Sequence, residues 1–145
     1  MKRIPLRSKE FNKLVEAYDF EISNKDTVEI IDDKVILVNK LPSFFYHEGK
    51  LVPTLQYLAS QPILKKITVD MGAVRFVVGG ADIMRPGIVE IESEISVGDF
   101  VVVVDVQHKK PLAVGIALFS SSEIQQMTTG KVVKNIHYVG DKIWK

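Results

Sequence analysis

The sequence predicts an α+β fold built as two small units. Three observations carry that prediction. An apolar stripe at helical spacing lies near the N-terminus, short β-branched and aromatic runs follow between turn residues, and the texture changes after Pro62, where glycine becomes frequent and the strand-like runs become rich in Val and Ile. The chain has 145 residues, 46% apolar and 26% charged, enough to bury a core without staples and unlike the composition of a disordered chain. A formal net charge of +1 announces no nucleic-acid partner through bulk charge. The absence of cysteine excludes disulfides, thiolate nucleophiles and cysteine zinc sites. No apolar run reaches membrane-spanning length, and the basic N-terminus MKRIPLRSKEF is not followed by a signal-peptide apolar region, so the cytoplasm is the expected location.

Residues Ser8 to Phe20 are expected to be helical, because Phe11, Leu14, Val15 and Tyr18 fall at i, i+3, i+4 and i+7. Ser8 is the expected N-cap, with Pro5 just before it. Thr27–Ile31 and Lys34–Val38 read as two strands joined at Asp32-Asp33. Ser43–Tyr46 reads as a third, turning at His47-Glu48-Gly49-Lys50. In PTLQYLAS, Pro53 suits a first helical position, Leu55 and Leu58 share a face, and Gln61-Pro62 ends the helix. A boundary near Pro62–Lys66 divides a mixed α/β unit, residues 1–65, from a mostly β, barrel-like unit with small helices, residues 66–145.

In the second unit, Ile67–Val69, Phe100–Val106, Leu112–Phe119 and Val132–Val139 are expected strands. The continuously apolar Phe100–Val104 suits burial on both faces. Ser120-Ser121-Ser122-Glu123 has capping-box spacing and opens a short helix through Met127, ended at Thr129-Gly130. Ala73–Val78 has strand composition, yet Ala73, Phe76 and Val77 also sit at helical spacing; six residues leave both readings open.

Catalytic patterns are sparse. His47, His108 and His137 are far apart and belong to no zinc motif. Ser120–Ser122 lacks a nucleophile-elbow context and is explained by capping. Glu90, Glu92 and Glu94 alternate, as on the solvent face of a strand. The stretch GGADIMRPG, Gly79 to Gly87, fits neither a P-loop nor a dinucleotide fingerprint, since Pro86-Gly87 forbids a helix there. Its glycines permit tight turns and close approach of a flat ligand, and Arg75 and Arg85 flank it with groups that fork onto phosphates or base edges.

The run VDMGAVRFVVGGADIMRPGI, Val69 to Ile88, resembles the opening of a PUA domain, the RNA-binding module named for pseudouridine synthase and archaeosine transglycosylase. VGDFVVVVD at Val97–Asp105, PLAVGIALFS at Pro111–Ser120 and GKVVKNIHYVGDKIW at Gly130–Trp144 agree in order. With PTLQYLASQPIL upstream, Pro53–Leu64, the chain resembles the malignant T-cell amplified sequence (translation machinery-associated) family, archaeal-type. Those proteins carry a pre-PUA α/β domain before a C-terminal PUA domain. The likeness extends from about Val35 to Trp144 and is dense from Pro53 onward.

The resemblance implies a pseudo-barrel of about six strands with two short helices. Gly72–Val78 is then the first helix, Gly79–Ala81 the glycine loop, Ile83–Met84 the start of the second strand, and Ser122–Met127 the second helix. It also implies an RNA-binding face of Arg75, Gly79, Gly80, Ala81, Asp82 and Arg85. The expected function is non-enzymatic binding of structured RNA, a tRNA or small-subunit rRNA, in translation initiation, recycling or ribosome function. It needs no cofactor and no metal. The implied partners are the small ribosomal subunit and a density-regulated-protein-like initiation factor. One departure bears on affinity: residues 67–145 carry eight Lys/Arg against nine Asp/Glu, so binding must come from a local patch or from both domains. Residues 1–66 carry eleven Lys/Arg, including Lys2, Arg3 and Arg7, against nine Asp/Glu. The alternative is a protein-interaction adaptor of the translation machinery, marked by exposed aromatics at Phe44, Phe45 or Tyr46. An RNA-modifying enzyme fits poorly, because the residues upstream hold no nucleophile, base constellation or cofactor loop.

Overall fold

The computed structural model describes residues 2–18 and 22–143. The chain divides into two compact units, Met1–Ile63 and Leu64–Lys145.

The first unit is an antiparallel meander of five strands: β1 (Arg3–Leu6), β2 (Val28–Ile31), β3 (Val35–Val38), β4 (Leu41–His47) and β5 (Lys50–Pro53), hydrogen-bonded in chain order. Tight turns set its register. Asp32 and Asp33 take φ of 50° and 56°, Asn39 and Lys40 take 52° and 70°, and Glu48 and Gly49 take 48° and 79°. These left-handed pairs match the twist of a hairpin, and Asp, Asn and Gly tolerate them best. Asn39 is tied further: its side chain accepts from the Thr27 N–H at 2.8 Å and donates to Asp26 at 2.9 Å.

Helix α1 covers Ser8–Leu14, and a 3₁₀ turn follows at Glu16–Tyr18. It is shorter than the sequence expects, and Phe20 lies outside the described residues. The cap is Arg7, without a side-chain bond; the Ser8 hydroxyl reaches the Ser23 carbonyl instead. Pro5 sits within edge strand β1, where a missing N–H is tolerated. Phe11 and Val15 are buried, but Leu14, the last residue of the helix and part of the expected stripe, is 45% exposed. Phe11 meets Phe44 edge-on at 5.4 Å, and Phe44 meets Tyr57 at 5.0 Å, in a core with Val28, Ile36, Val38 and Leu51. Helix α2 covers Leu55–Leu58. Pro53 is not its first residue but the end of β5. Thr54 is the N-cap, accepting from the Tyr57 N–H at 3.1 Å, so the helix starts one residue beyond it.

The second unit has six strands and two helices: β6 (Lys65–Val69), α3 (Met71–Val77), β7 (Ile83–Met84), β8 (Ile88–Ile91), β9 (Phe100–Asp105), β10 (Pro111–Ala117), α4 (Ser121–Gln126) and β11 (Lys131–Tyr138). The sheet order is β7-β11-β10-β9-β6-β8, with β6 and β9 parallel and the other pairs antiparallel. Strands β7 and β8 are therefore opposite edges of one sheet, yet only the 3₁₀ turn Arg85–Gly87 separates them. Three residues span little distance. The sheet has to curl until its edges almost meet, which is the barrel-like shape expected from sequence.

Ile67, Val69, Val101, Val103, Ala113, Ile124, Val132 and Val133 fill the barrel interior. Val102 and Val104 on the other face of β9 are buried too, as the unbroken apolar run predicts. Helix α4 opens on the capping box read from sequence, with the Ser120 hydroxyl accepting from Glu123 N–H and the Glu123 carboxylate accepting from Ser120 N–H. Strand β8 stops at Ile91, so the glutamate alternation outlasts the strand: Glu92 accepts from the Lys66 N–H, and Glu94 turns to a φ of 65°.

Strands β10 and β11 approach closely at Gly115. The register between β10 and β11 shifts there, and a Cβ on Gly115 would stand 2.3 Å from a Val133 methyl and 2.7 Å from the Lys134 carbonyl oxygen. Gly115→Ala is expected to destabilise the protein by about 1–3 kcal/mol, the usual range for overpacking, read as a lowered midpoint in thermal or urea unfolding.

Candidate nucleic-acid interface

The sequence-expected RNA face is assembled on α3 and the loop after it. Asp70 caps α3, its carboxylate accepting from the Ala73 N–H at 2.9 Å. The cap explains why a Val-rich stretch is helical: the first turn is satisfied before any strand partner is available. Gly80 adopts a φ of 96°, and the Gly80 and Ala81 N–H groups bond back to the Val77 and Phe76 carbonyls at 3.1 and 3.0 Å. A methyl group at Gly80 would lie 2.9 Å from the Tyr138 ring, so the loop rests bare against β11. Gly79 and Ala81 are exposed and Gly80 half-buried.

Asn135 on β11 fixes the loop. Its side-chain NH₂ donates to the Val77 and Ala81 carbonyls, each at 3.0 Å, while its backbone N–H donates to Asp82 at 2.9 Å. Asp82 also pairs with Lys131 at 2.9 Å. The Asn135 N–H, and after it the Lys131 ammonium, hold the Asp82 carboxyl below the ordinary carboxylate range. Asp82 thus anchors the loop to β11.

The two arginines differ. Arg75 is exposed on α3, its guanidinium carbon 4.8 Å from the centroid of the Phe76 ring. The sequence gives Arg85 a phosphate to hold. In the structure its Nε donates to the Ile124 carbonyl at 2.7 Å and its Nη1 to the Ile88 carbonyl at 3.2 Å. Arg85 ties the turn between the sheet edges to α4, so its fork is turned into the fold. Of the six expected residues, Arg75, Gly79, Gly80, Ala81 and Asp82 share one neighbourhood around the end of α3, and Arg85 has a structural task beside it.

Sequence reasoning missed Asn135, Tyr138, Lys131 and Lys134 on β11, and Phe76 as a surface residue. An asparagine inside a Val/Ile-rich strand is the signal that could have exposed the first, since such positions are depleted in Asn. Between α3 and the β7 turn runs an apolar groove of about 500 Å³, bordered by Asp70, Ala73, Phe76, Asp82, Met84 and Pro86. No cluster of three or more metal-binding side chains occurs among the described residues. No helix among them is long and apolar enough to cross a membrane.

Architecture and loop together define a protein with a small α/β unit followed by a PUA-type pseudo-barrel. Residues 65–139 match the PUA domain family, and residues 6–61 match a domain of unknown function (DUF1947). An uncharacterized protein of Methanocaldococcus jannaschii, MJ1432, is 46% identical over 94% of this chain and 86% of its own length. Translation machinery-associated protein 20 of Eremothecium gossypii is 34% identical over 93% of this chain and 81% of its own. Malignant T-cell-amplified sequence 1-A of Xenopus laevis is 35% identical over 83% and 71%. Among solved structures, hypothetical protein PH0734.1 of Pyrococcus horikoshii superimposes with a TM-score of 0.84 at 32% identity, covering 99% of this chain and 98% of that one. A chain of an H/ACA RNP bound to a substrate RNA matches 68% of this chain, and 31% of its own length, with a TM-score of 0.54 at 25% identity. The chain belongs to the PUA-domain family of translation machinery-associated protein 20 and malignant T-cell-amplified sequence.

Two expectations follow for this region. Asn135→Ala removes two hydrogen bonds from the loop and should destabilise it by about 1–3 kcal/mol, read as faster amide hydrogen exchange over residues 79–82. At the end of β11, buried His137 places Nδ1 2.8 Å from an Asp141 carboxylate oxygen, which also accepts from the Tyr138 N–H. Burial lowers the His137 pKa below the ordinary 6.5, against the opposing pull of Asp141. The unfolded chain then takes up this proton more readily than the folded one. The contribution is complete above about pH 6.5 and lost as pH falls through the folded pKa beneath it. An NMR titration should place the imidazole pKa below 6.5, with unfolding midpoints falling across the same acidic window.

Proposed function

We propose that the protein binds structured RNA, a tRNA or small-subunit rRNA, in translation, and acts in the cytoplasm without catalysing a reaction of its own. The observation that carries this reading is the bare loop Gly79–Ala81, pinned to β11 and flanked by the exposed cations Arg75 and Lys134. Small residues admit a ribose-phosphate backbone and the cations meet its charge. The names of the relatives point to translation, and the RNA in the H/ACA complex gives a structural neighbour that sits in an RNA-bound assembly. The small ribosomal subunit and a density-regulated-protein-like factor are the partners this reading favours. The adaptor alternative rested on exposed aromatics in β4, but Phe44 and Phe45 are buried and Tyr46 half-buried.

The test is a salt-dependent titration against mature tRNA, small-subunit rRNA fragments and duplex DNA of similar charge. Saturable binding to one RNA, far above DNA, supports the reading; weak and equal binding to all three, vanishing with modest salt, rejects it. Arg75→Gln should weaken binding across RNAs and reduce the salt slope by about one phosphate contact.

A further inference from the structure

We propose that Lys110 and Lys142 form a second RNA-backbone site, on the end of the barrel that α3 crosses; this rests on the RNA-binding reading above. Strand order brings four pieces of chain to that end. Strand β6 finishes at Val69, whose carbonyl accepts at 3.0 Å from the Val106 N–H just past β9. Strand β10 starts at Pro111, directly after Lys110, and the Leu112 carbonyl accepts at 3.2 Å from the Val139 N–H just past β11. The turn that carries Lys142 is thereby set beside the turn that carries Lys110. Helix α3 starts at this end, capped by Asp70, and delivers the chain to the loop Gly79–Ala81, which rests on Tyr138, the last residue of β11. Seven residues of helix span roughly 10 Å, so one RNA backbone can meet the loop and both lysines.

The charges of this unit are sorted between its two ends. At the α3 end the carboxylates are engaged by the fold. Asp70 caps α3, buried Asp105 accepts from the His108 and Lys110 N–H groups, and Asp141 accepts from the Tyr138 and Ile143 N–H groups. Lys109 is engaged too, 3.2 Å from Glu90. Among the described residues Arg75, Lys110 and Lys142 are exposed and in no ion pair. The exposed carboxylates Glu92, Glu94, Asp99 and Glu123 belong to the other end. Glu92 and Glu94 contact the start of β6, Asp99 precedes β9, and Glu123 lies on α4 after β10. Residues 67–145, with eight Lys/Arg against nine Asp/Glu, therefore still present one positive end. Cations spaced along a rim suit a chain of phosphates rather than one small anion. Asp105 holds its turn in shape before a ligand arrives, which leaves little ordering for binding to impose.

The experiment uses the full chain with labelled mature tRNA and labelled small-subunit rRNA fragments, titrated over a range of salt. Lys110→Gln with Lys142→Gln removes two exposed charges and should leave the unfolding midpoint unchanged. Affinity should fall, and the slope of log affinity against log salt should drop by about 2. Adding Arg75→Gln should take the drop to about 3, since the three cations meet different phosphates. Lys65→Gln with Lys66→Gln removes the same charge from the other end of the barrel and should leave the slope as in the wild type. An unchanged slope in the Lys110 and Lys142 variant, or an equal drop in the Lys65 and Lys66 variant, would overturn the second site while RNA binding stands. Failure of the folded wild type to bind any of these RNAs would reject the RNA-binding reading itself, and this inference with it.

Discussion

The closure of the second sheet is the constraint on which the rest depends. The two edge strands β7 and β8 are consecutive in the chain and joined by three residues, so the sheet has one shape open to it. Arg85 braces the junction with bonds to Ile124 and Ile88, and the Gly87 carbonyl accepts from the Asp70 N–H at 2.9 Å where α3 begins. Helix α3 thereby lies beside the junction, with the Ala73 methyl 3.1 Å from where a Gly87 Cβ would stand. The groove is the space left between these elements. A barrel that closed with a longer link would leave the groove without its second wall.

Much of this was legible in the sequence because local chemistry decided it. The capping box at Ser120 specifies a helix start whatever surrounds it, and Asp32-Asp33 between β-branched runs specifies a reversal. What was not legible depended on distant partners. β1 and β5 are four-residue strands made visible only by their neighbours β2 and β4. The turn at Asn39-Lys40 has no glycine and draws its stability from Asp26 and Thr27, a dozen residues upstream. Strand α3 by composition is a helix in fact, through its Asp70 cap; the family resemblance resolved what six residues could not.

The face follows the same division. The positive φ of Gly80 and the exposure of Arg75 are local properties that the sequence suggests directly. The sequence places Arg85 on the RNA face, yet its guanidinium bonds to carbonyls on α4 and β8, partners that no local pattern shows. Asn135 lies more than fifty residues from the loop, yet its backbone N–H donates to the Asp82 carboxylate and its side chain to the Val77 and Ala81 carbonyls. Phe76 sits at a spacing that suits a buried face; only the orientation of α3 on the barrel turns it outward.

Among the described residues strand β7 pairs with no strand but β11, and the loop before it is secured by Asn135 on that same strand. Synthesis therefore makes the loop long before it makes what holds it. A nascent chain that has exposed Gly79 still lacks the side chain that sets the loop's shape, and contacts of such sequence separation form late and slowly. The face matures only as the last strand is threaded into the sheet, so it is shaped once the PUA-type unit is essentially complete.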